Sequence, residues 1–291
     1  VIYMKYLITG ATGNLGEKVT RWLRTMTPEK NIRVGIHNLK KTNKFSDLAV
    51  EKVKLDYFDI NTLKKAVAGV DLVIYIPSIT YNLQKRITEF ENVLQVVKEA
   101  KSKLIFVSFF ADQENNPFVM SPFYAYVPRR LASSGIEYSI VKNSLYADPL
   151  VPYLEELIKR KNIIYPVGAE PLSFITRNDS AHAIACLAMQ PVMRDQGQTY
   201  LLSMDKNYNM VELSYIMSRI TDHKIGYAPV TTDEFAKIYA AEGDGKELAS
   251  MYAGGAKGLL SATSDDFHRL TGREPEEMEH FLRNGYQIAR L

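Results

Sequence analysis

Short apolar runs alternate with longer amphipathic stretches through the first half of the chain. MKYLITG, NIRVGIH, VKLD, VDLVIYIP, SKLIFVS and IEYSIVKN are all of strand length. Between them, NLGEKVTRWLRT, INTLKKAVA, YNLQKRITEFENVLQVVKEAK and SPFYAYVPRRLASS carry apolar residues at helical spacing, leaving one stripe to bury. Apolar strands separated by amphipathic helices need cover on both faces, which predicts an α/β fold. The expected architecture is a doubly wound parallel sheet of Rossmann type with right-handed crossovers. Such sheets bind ligands beyond the carboxyl ends of their strands.

After about residue 145 the rhythm changes. ADPLVPYLEELIKRKNIIYPVGAEPLS is richer in proline and aromatics, and a helix follows in TRNDSAHAIACLAMQ and a strand in QTYLLS. Helical patterns recur at MVELSYIMSRIT, TTDEFAKIYAAEG and PEEMEHFLRNGYQIAR. Residues 1–145 are therefore expected to form the nucleotide-binding domain. Residues 146–291 should form a smaller α+β substrate lobe closing over the sheet's carboxyl edge, with a segment near 176–202 returning to the first domain. There is no internal repeat and no low-complexity linker.

Composition narrows the classes. With 46% hydrophobic and 24% charged residues over 291 positions, the chain reads as an ordinary globular protein. A net charge of +3 gives no ground for nucleic-acid binding. No apolar run approaches the roughly 20 residues of a membrane span. The first residues carry no basic-then-apolar leader, and Met4-Lys5-Tyr6 leads straight into the first strand, so residues 1–3 read as an extension. A lone cysteine, Cys186 in AIACLAM, excludes an internal disulfide and reads as a small buried hydrophobe. These features together lead us to expect a cytoplasmic protein. The five histidines have no metal-ligand spacing, so no metal site is expected.

The most informative stretch is LITGATGNLG, at the junction of the first strand and the first helix. Gly10 permits the tight turn, Gly13 allows a pyrophosphate to approach the backbone, and Gly16 lets the helix pack close to the sheet. The helix amino terminus that follows stabilises negative charge. With a strand before and a helix after, the pattern predicts a dinucleotide at this turn. A Gly-rich turn that merely packs tightly is the alternative.

NAD-selective sheets commonly end the second strand with a carboxylate for the ribose 2′-hydroxyl. Here that strand ends in Gly35-Ile36-His37-Asn38, followed by Lys40 and Lys41. Cations in place of an acid favour NADP over NAD, with His37 and Lys41 as the candidate contacts. Asp56 and Tyr57 follow the third strand, where they could flank the adenine, and Pro77-Ser78 ends the fourth near the nicotinamide ribose. Each pair is ordinary turn chemistry by itself; their position at successive strand ends is the signal.

These residues resemble the extended, atypical short-chain dehydrogenase/reductase superfamily, of which TGATGNLG is a G-x-x-G-x-x-G variant and LDYFD a typical third-strand ending. VGIHN-x-x-K, GVDLVIYIPS, SGIEYSIVKNSLYAD, ITRND and SDDFHRLTGREPEEMEHFL are similar, over essentially the whole chain, to the NmrA-like branch. That branch includes NADPH-dependent quinone oxidoreductases and triphenylmethane reductases. The resemblance implies that Thr12, Gly13, Asn14, Leu15 and Gly16 hold the pyrophosphate, with a nicotinamide half near Pro77, Ser78, Asn143 and Tyr146. It also implies that His37 replaces the arginine usual at the 2′-phosphate, a departure for which Lys41 can compensate.

Superfamily members acting on carbonyls or sugars commonly use Ser followed by Tyr-x-x-x-Lys, the lysine lowering the tyrosine pKa. Here Ser108 ends the fifth strand beside the expected cofactor and Tyr124 is the candidate acid, but Pro128 stands where the lysine belongs. A proline at that position should also kink the helix. The branch often lacks the pair, and direct hydride transfer to a quinone-like or other flat, electron-poor acceptor needs little acid assistance. Tyr124 is then a wall or donor to the acceptor, or simply a packing residue. Phe109, Phe110, Phe118, Phe123, Tyr126, Tyr146 and Tyr153 either line an aromatic pocket or form core. The favoured expectation is an NAD(P)H-dependent reductase of such acceptors, with a homodimer compatible. The alternative is a non-catalytic NAD(P)-binding redox sensor. A sugar-nucleotide epimerase, which needs the missing pair, ranks last.

Overall fold

A computed structural model describes residues 4–291; residues 1–3, read above as an extension, lie outside the described residues. β1 (Tyr6–Ile8) passes through the glycine turn into α1 (Asn14–Arg24), and β2 (Ile32–Ile36) into a 3-10 segment at Leu39–Phe45. β3 (Glu51–Lys54) leads to α2 (Ile60–Val67), and β4 (Leu72–Tyr75) to α3 (Leu83–Glu99). β5 (Lys103–Phe109) leads to α4 (Ser121–Ala132) and β6 (Tyr138–Asn143). Seven strands form one sheet in the order β10-β6-β5-β4-β1-β2-β3, where β10 is Gln198–Leu202. β1 runs parallel to both β2 and β4, β2 to β3, and β4 to β5, with Ile8 level with Val34 on one side and Ile74 on the other. This is the α/β Rossmann-type sheet, and its strand order reverses between β1 and β4.

The burial explains the sequence pattern. Every residue of β1 and β4 is buried, as a central parallel strand requires. β3 departs from it: its residues Glu51, Lys52, Val53 and Lys54 are half-buried or exposed. It is the margin of the sheet, where charges discourage further strand pairing. α4 continues through Pro128 as one assigned helix. The proline removes one donor from this twelve-residue element without ending it.

Two compact units are distinguishable. The first holds the chain up to Ser108, with Phe123–Lys142 and Ser180–Tyr200; the second holds Phe109–Pro122, Asn143–Asp179 and Leu201–Leu291. The second unit contains two short parallel pairs. One joins β7 (Leu145–Tyr146) to β9 (Phe174–Ile175), and the other joins β8 (Asn162–Ile163) to β11 (Gly226–Tyr227). Its helices include α5 (Leu150–Arg160), α8 (Met210–Thr221), α9 (Thr232–Ile238), α10 (Gly245–Ala256), α11 (Asp266–Thr271) and α12 (Met278–Ala289). α6 (Arg177–Ala188) starts in this unit and continues into the first, followed there by α7 (Pro191–Arg194).

Asp179, only 1% exposed, ties the second unit together. Its carboxylate accepts from the Arg273 guanidinium at 2.6 Å and from the Glu276 N–H at 2.7 Å. That contact joins the ITRND and TGREP motifs and gives both a structural reason. An aromatic nest in the same unit joins the segment after β8 to α9 and α10, with Tyr165 stacked on Tyr252 at 5.2 Å and Phe235 edge-on to both. Cys186 on α6 is half-buried, not sealed in the core as its apolar neighbours led us to expect.

Candidate functional site

In the first unit the three glycines of the β1–α1 turn do three different things. Gly10 has φ of +58°, a conformation that L side chains rarely adopt. A Cβ on Gly16 would stand 2.2 Å from the Gly10 carbonyl oxygen and 2.8 Å from the Ala11 Cα, so the fold itself demands glycine there. Gly13 differs: a Cβ would meet nothing nearer than the Gly10 carbonyl at 3.3 Å. That contact is tight but far looser than those at Gly16, so the fold constrains Gly13 less. Gly13 is also the N-cap of α1 and supplies no side-chain cap, so the first helical N–H groups, from Asn14 and Leu15 to Gly16, are presented as donors. The Thr12 carbonyl in the same loop accepts from Lys44 Nζ at 2.7 Å. A bare, uncapped, positively polarised turn at the carboxyl edge of β1 fits the pyrophosphate of a dinucleotide.

The second-strand cations lie on the adjoining loop. His37 and Lys41 are exposed, and the His37 carbonyl accepts from Lys54 Nζ. Lys44, a residue the sequence reading did not single out, is the cation that reaches the glycine loop itself. The spacing of the 3-10 segment Leu39–Phe45 carries it there, and Arg21 holds that segment from α1 through the Lys44 carbonyl and Asp47. Strand-end logic points only to the first residues after β2, so Lys44 gave no signal.

Asp56 and Tyr57 follow β3 as expected, but the Tyr57 hydroxyl faces inward. It donates within 2.8 Å of Thr9 Oγ1 and 2.6 Å of the Ile76 carbonyl, and burial pushes its pKa upward. Only the ring is left to face a base. Asp56 Oδ1 accepts from the Phe58 N–H at 2.9 Å in a local turn.

At the end of β4, Pro77 and Ser78 lie over a buried carboxylate. Glu89 of α3 is 0% exposed; its Oε2 accepts from the Tyr75 hydroxyl and, at 3.1 Å, from the Ser78 N–H. Burial raises its pKa, against the hydrogen bonds from Ser78 and Tyr75 and the charge of Arg86. Ser108 Oγ, at the end of β5, is buried without a protein partner, an unmet polar group where a ribose hydroxyl is expected.

Tyr124 stands on α4 four residues before Pro128. Arg86, 4% exposed, donates from Nη2 to its hydroxyl oxygen at 3.2 Å and from Nε to the Thr80 carbonyl at 2.9 Å. The guanidinium lies 4.8 Å from the centre of the Phe123 ring and 5.6 Å from that of Tyr124. In the second unit Asn143 and Tyr146 are brought together, Asn143 Nδ2 donating to the Tyr146 hydroxyl at 3.1 Å, with Arg177 over the Tyr146 ring.

The aromatic list resolves largely into packing. Phe123 is fully buried edge-on to Phe106, and Tyr126 donates to Glu91 across from Phe90. In the second unit, Phe110 and Phe118 are buried around Phe109, and Tyr153 donates to Glu242 beside Tyr239. Among the described residues no group of three or more His, Cys, Asp or Glu side chains could hold a metal ion. No helix among them is long and apolar enough to cross a membrane.

The model of the NmrA-like family matches residues 4–282. Quinone oxidoreductase 2 of Escherichia coli is 25% identical over 269 residues, covering 91% of this chain and 93% of its own. The Citrobacter triphenylmethane reductase complexed with NADP(H) superposes with a TM-score of 0.89 at 25% identity, covering 97% of this chain and 100% of that one. A Staphylococcus aureus protein described as a nucleoside-diphosphate-sugar epimerase superposes with a TM-score of 0.90 at 38% identity, covering 96% and 100% respectively.

Proposed function

The chain belongs to the NmrA-like family, and we propose that this NAD(P)H-dependent oxidoreductase passes hydride directly to quinone-like or other flat, electron-poor acceptors, with NADPH preferred. The observation that carries the reading is the turn at Gly13, where the fold constrains a side chain far less than at Gly16 and α1 is left uncapped. In this reading Thr12 to Gly16 hold the pyrophosphate. His37, Lys41 and Lys44 offer positive charge to the 2′-phosphate. The adenine packs by Asp56 and the Tyr57 ring, and Pro77, Ser78 and Ser108 hold the nicotinamide half. The reduced nicotinamide supplies hydride; the protein supplies binding and orientation.

Kinship supports the acceptor class: the relatives named above include a quinone oxidoreductase and a dye reductase. The epimerase description of the Staphylococcus aureus neighbour favours a second reading, sugar-nucleotide epimerisation. Pro128 at the lysine position weighs against it, since that chemistry relies on a lysine-assisted tyrosine. Pro128 also motivates a sensor that binds NAD(P) without turnover. One experiment separates the three. NADPH oxidation is followed at saturating cofactor with a panel of quinones and cationic dyes, and uridine-diphosphate sugars are incubated in parallel. Turnover of a quinone or dye is the expected result. Tight NADPH binding with every acceptor inert would favour the sensor, and conversion of a sugar nucleotide would favour the epimerase.

A further inference from the structure

Arg86 is a cation in an expensive place. It is 4% exposed, yet its hydrogen bonds go to the Thr80 carbonyl and the Tyr124 hydroxyl, not to a carboxylate. Its guanidinium lies against the Phe123 and Tyr124 rings. Arginine cannot shed its charge as a buried lysine can, so the positive charge is permanent at this point. Removing it from water costs stability, and its charge acts on the buried Glu89 carboxyl one turn along α3 as well as on the Tyr124 hydroxyl. The neighbouring helix supplies the context: four residues after Tyr124, where a lysine would assist the phenol, α4 carries Pro128.

We propose that Arg86 replaces the missing lysine as the positioning residue for Tyr124, and that the pair serves acceptors needing a proton as well as a hydride. Arg86 Nη2 donates to the Tyr124 oxygen at 3.2 Å, which holds the phenol in place and leaves its proton to be given from the same oxygen. The inference rests on the reductase reading and adds a division among substrates to it. A quinone that receives hydride has gained an electron pair and one hydrogen and becomes the hydroquinone monoanion. The Tyr124 O–H bond then breaks, its proton completes the hydroquinone, and the phenolate held by Arg86 takes a proton from water. A cationic triphenylmethane dye that receives hydride at its central carbon is neutral at once and needs no proton. The Arg86–Tyr124 pair therefore discriminates by what the product requires.

The test compares kcat for 1,4-naphthoquinone with kcat for a cationic triphenylmethane dye at saturating NADPH, in the wild type, Tyr124→Phe, Arg86→Met and Arg86→Lys. Loss of general acid assistance is expected to lower the quinone-to-dye ratio of kcat on the order of 10²-fold in Tyr124→Phe and Arg86→Met. Arg86→Lys is expected to restore much of that ratio. The solvent deuterium isotope effect on naphthoquinone reduction should be present in the wild type and lost in Tyr124→Phe. A merely structural role would lower both acceptors together. An unchanged ratio with a retained isotope effect overturns the inference while leaving the reductase reading intact. Inertness of the wild type toward both acceptors overturns the reading and the inference with it. Tyr124→Phe keeps the ring and its packing, so it decides the matter even if Arg86→Met fails to fold.

Discussion

The glycine turn draws its main-chain donors from one contiguous segment, Gly13 to Gly16, whereas the Tyr124 corner takes Arg86 from α3, Tyr124 from α4 and Thr80 from the loop between β4 and α3. The first acts through main-chain N–H groups and a helix terminus, which are properties of a contiguous segment. The second acts through side chains whose meeting depends on how helices pack. Asp179 repeats the second case in the other unit, reaching Arg273 across 94 positions. Main-chain chemistry is written locally, and side-chain electrostatics is written by tertiary contact.

Four substitutions and one titration sharpen that contrast. The largest effect is expected from Asp179→Ala, which leaves the Arg273 guanidinium and the Glu276 N–H without their acceptor. Removing a buried carboxylate that accepts two hydrogen bonds, one of them from a half-exposed guanidinium, costs on the order of 3 kcal/mol, to be read from urea denaturation. Next is Gly16→Ala. Its Cβ would press on main-chain atoms of Gly10 and Ala11 that cannot rotate away, and overpacking of this sort costs about 2 kcal/mol. If Gly16→Ala were as stable as the wild type, the close packing assigned to that glycine would be wrong.

Gly13→Val is expected to reverse the balance between folding and binding. Its stability should fall less than that of Gly16→Ala, while NADPH affinity drops at least about tenfold, equivalent to roughly 1.4 kcal/mol. Calorimetric titration beside a denaturation curve makes the comparison. Smaller still, Lys44→Ala should weaken NADPH roughly threefold, as expected for one exposed charged contact, and weaken NADH less. Equal losses for both coenzymes would place Lys44 at the pyrophosphate only.

The titration concerns Glu89. Burial raises its pKa in the folded chain, so the native state holds that proton more tightly than the unfolded state does. The resulting stabilisation is complete below the ordinary carboxylate range and is lost as pH rises through the raised folded value. Glu89→Gln, which keeps a neutral group at all pH, should therefore gain in stability relative to the wild type as pH increases. Denaturation midpoints at several pH values check the sign, and a constant difference would show that Glu89 is not perturbed.

The fold was legible in the sequence because central parallel strands must be apolar on both faces and amphipathic helices must cover them. That constraint leaves its mark on every strand from Tyr6 to Asn143 except β3, where a marginal position relaxes it. The glycine turn was legible for the same reason of locality: three small residues at fixed spacing between a strand and a helix have few other uses. Tertiary structure alone decided which of those glycines the fold demands most, because Gly13 and Gly16 are the same residue type until their neighbours are in place. It alone turned the Tyr57 hydroxyl inward, brought Lys44 to the Thr12 carbonyl and set Arg86 against Tyr124. Sequence spacing reports on neighbours along the chain, while a charge acts over a few ångströms in any direction, and only the folded chain fixes which residues lie within that reach.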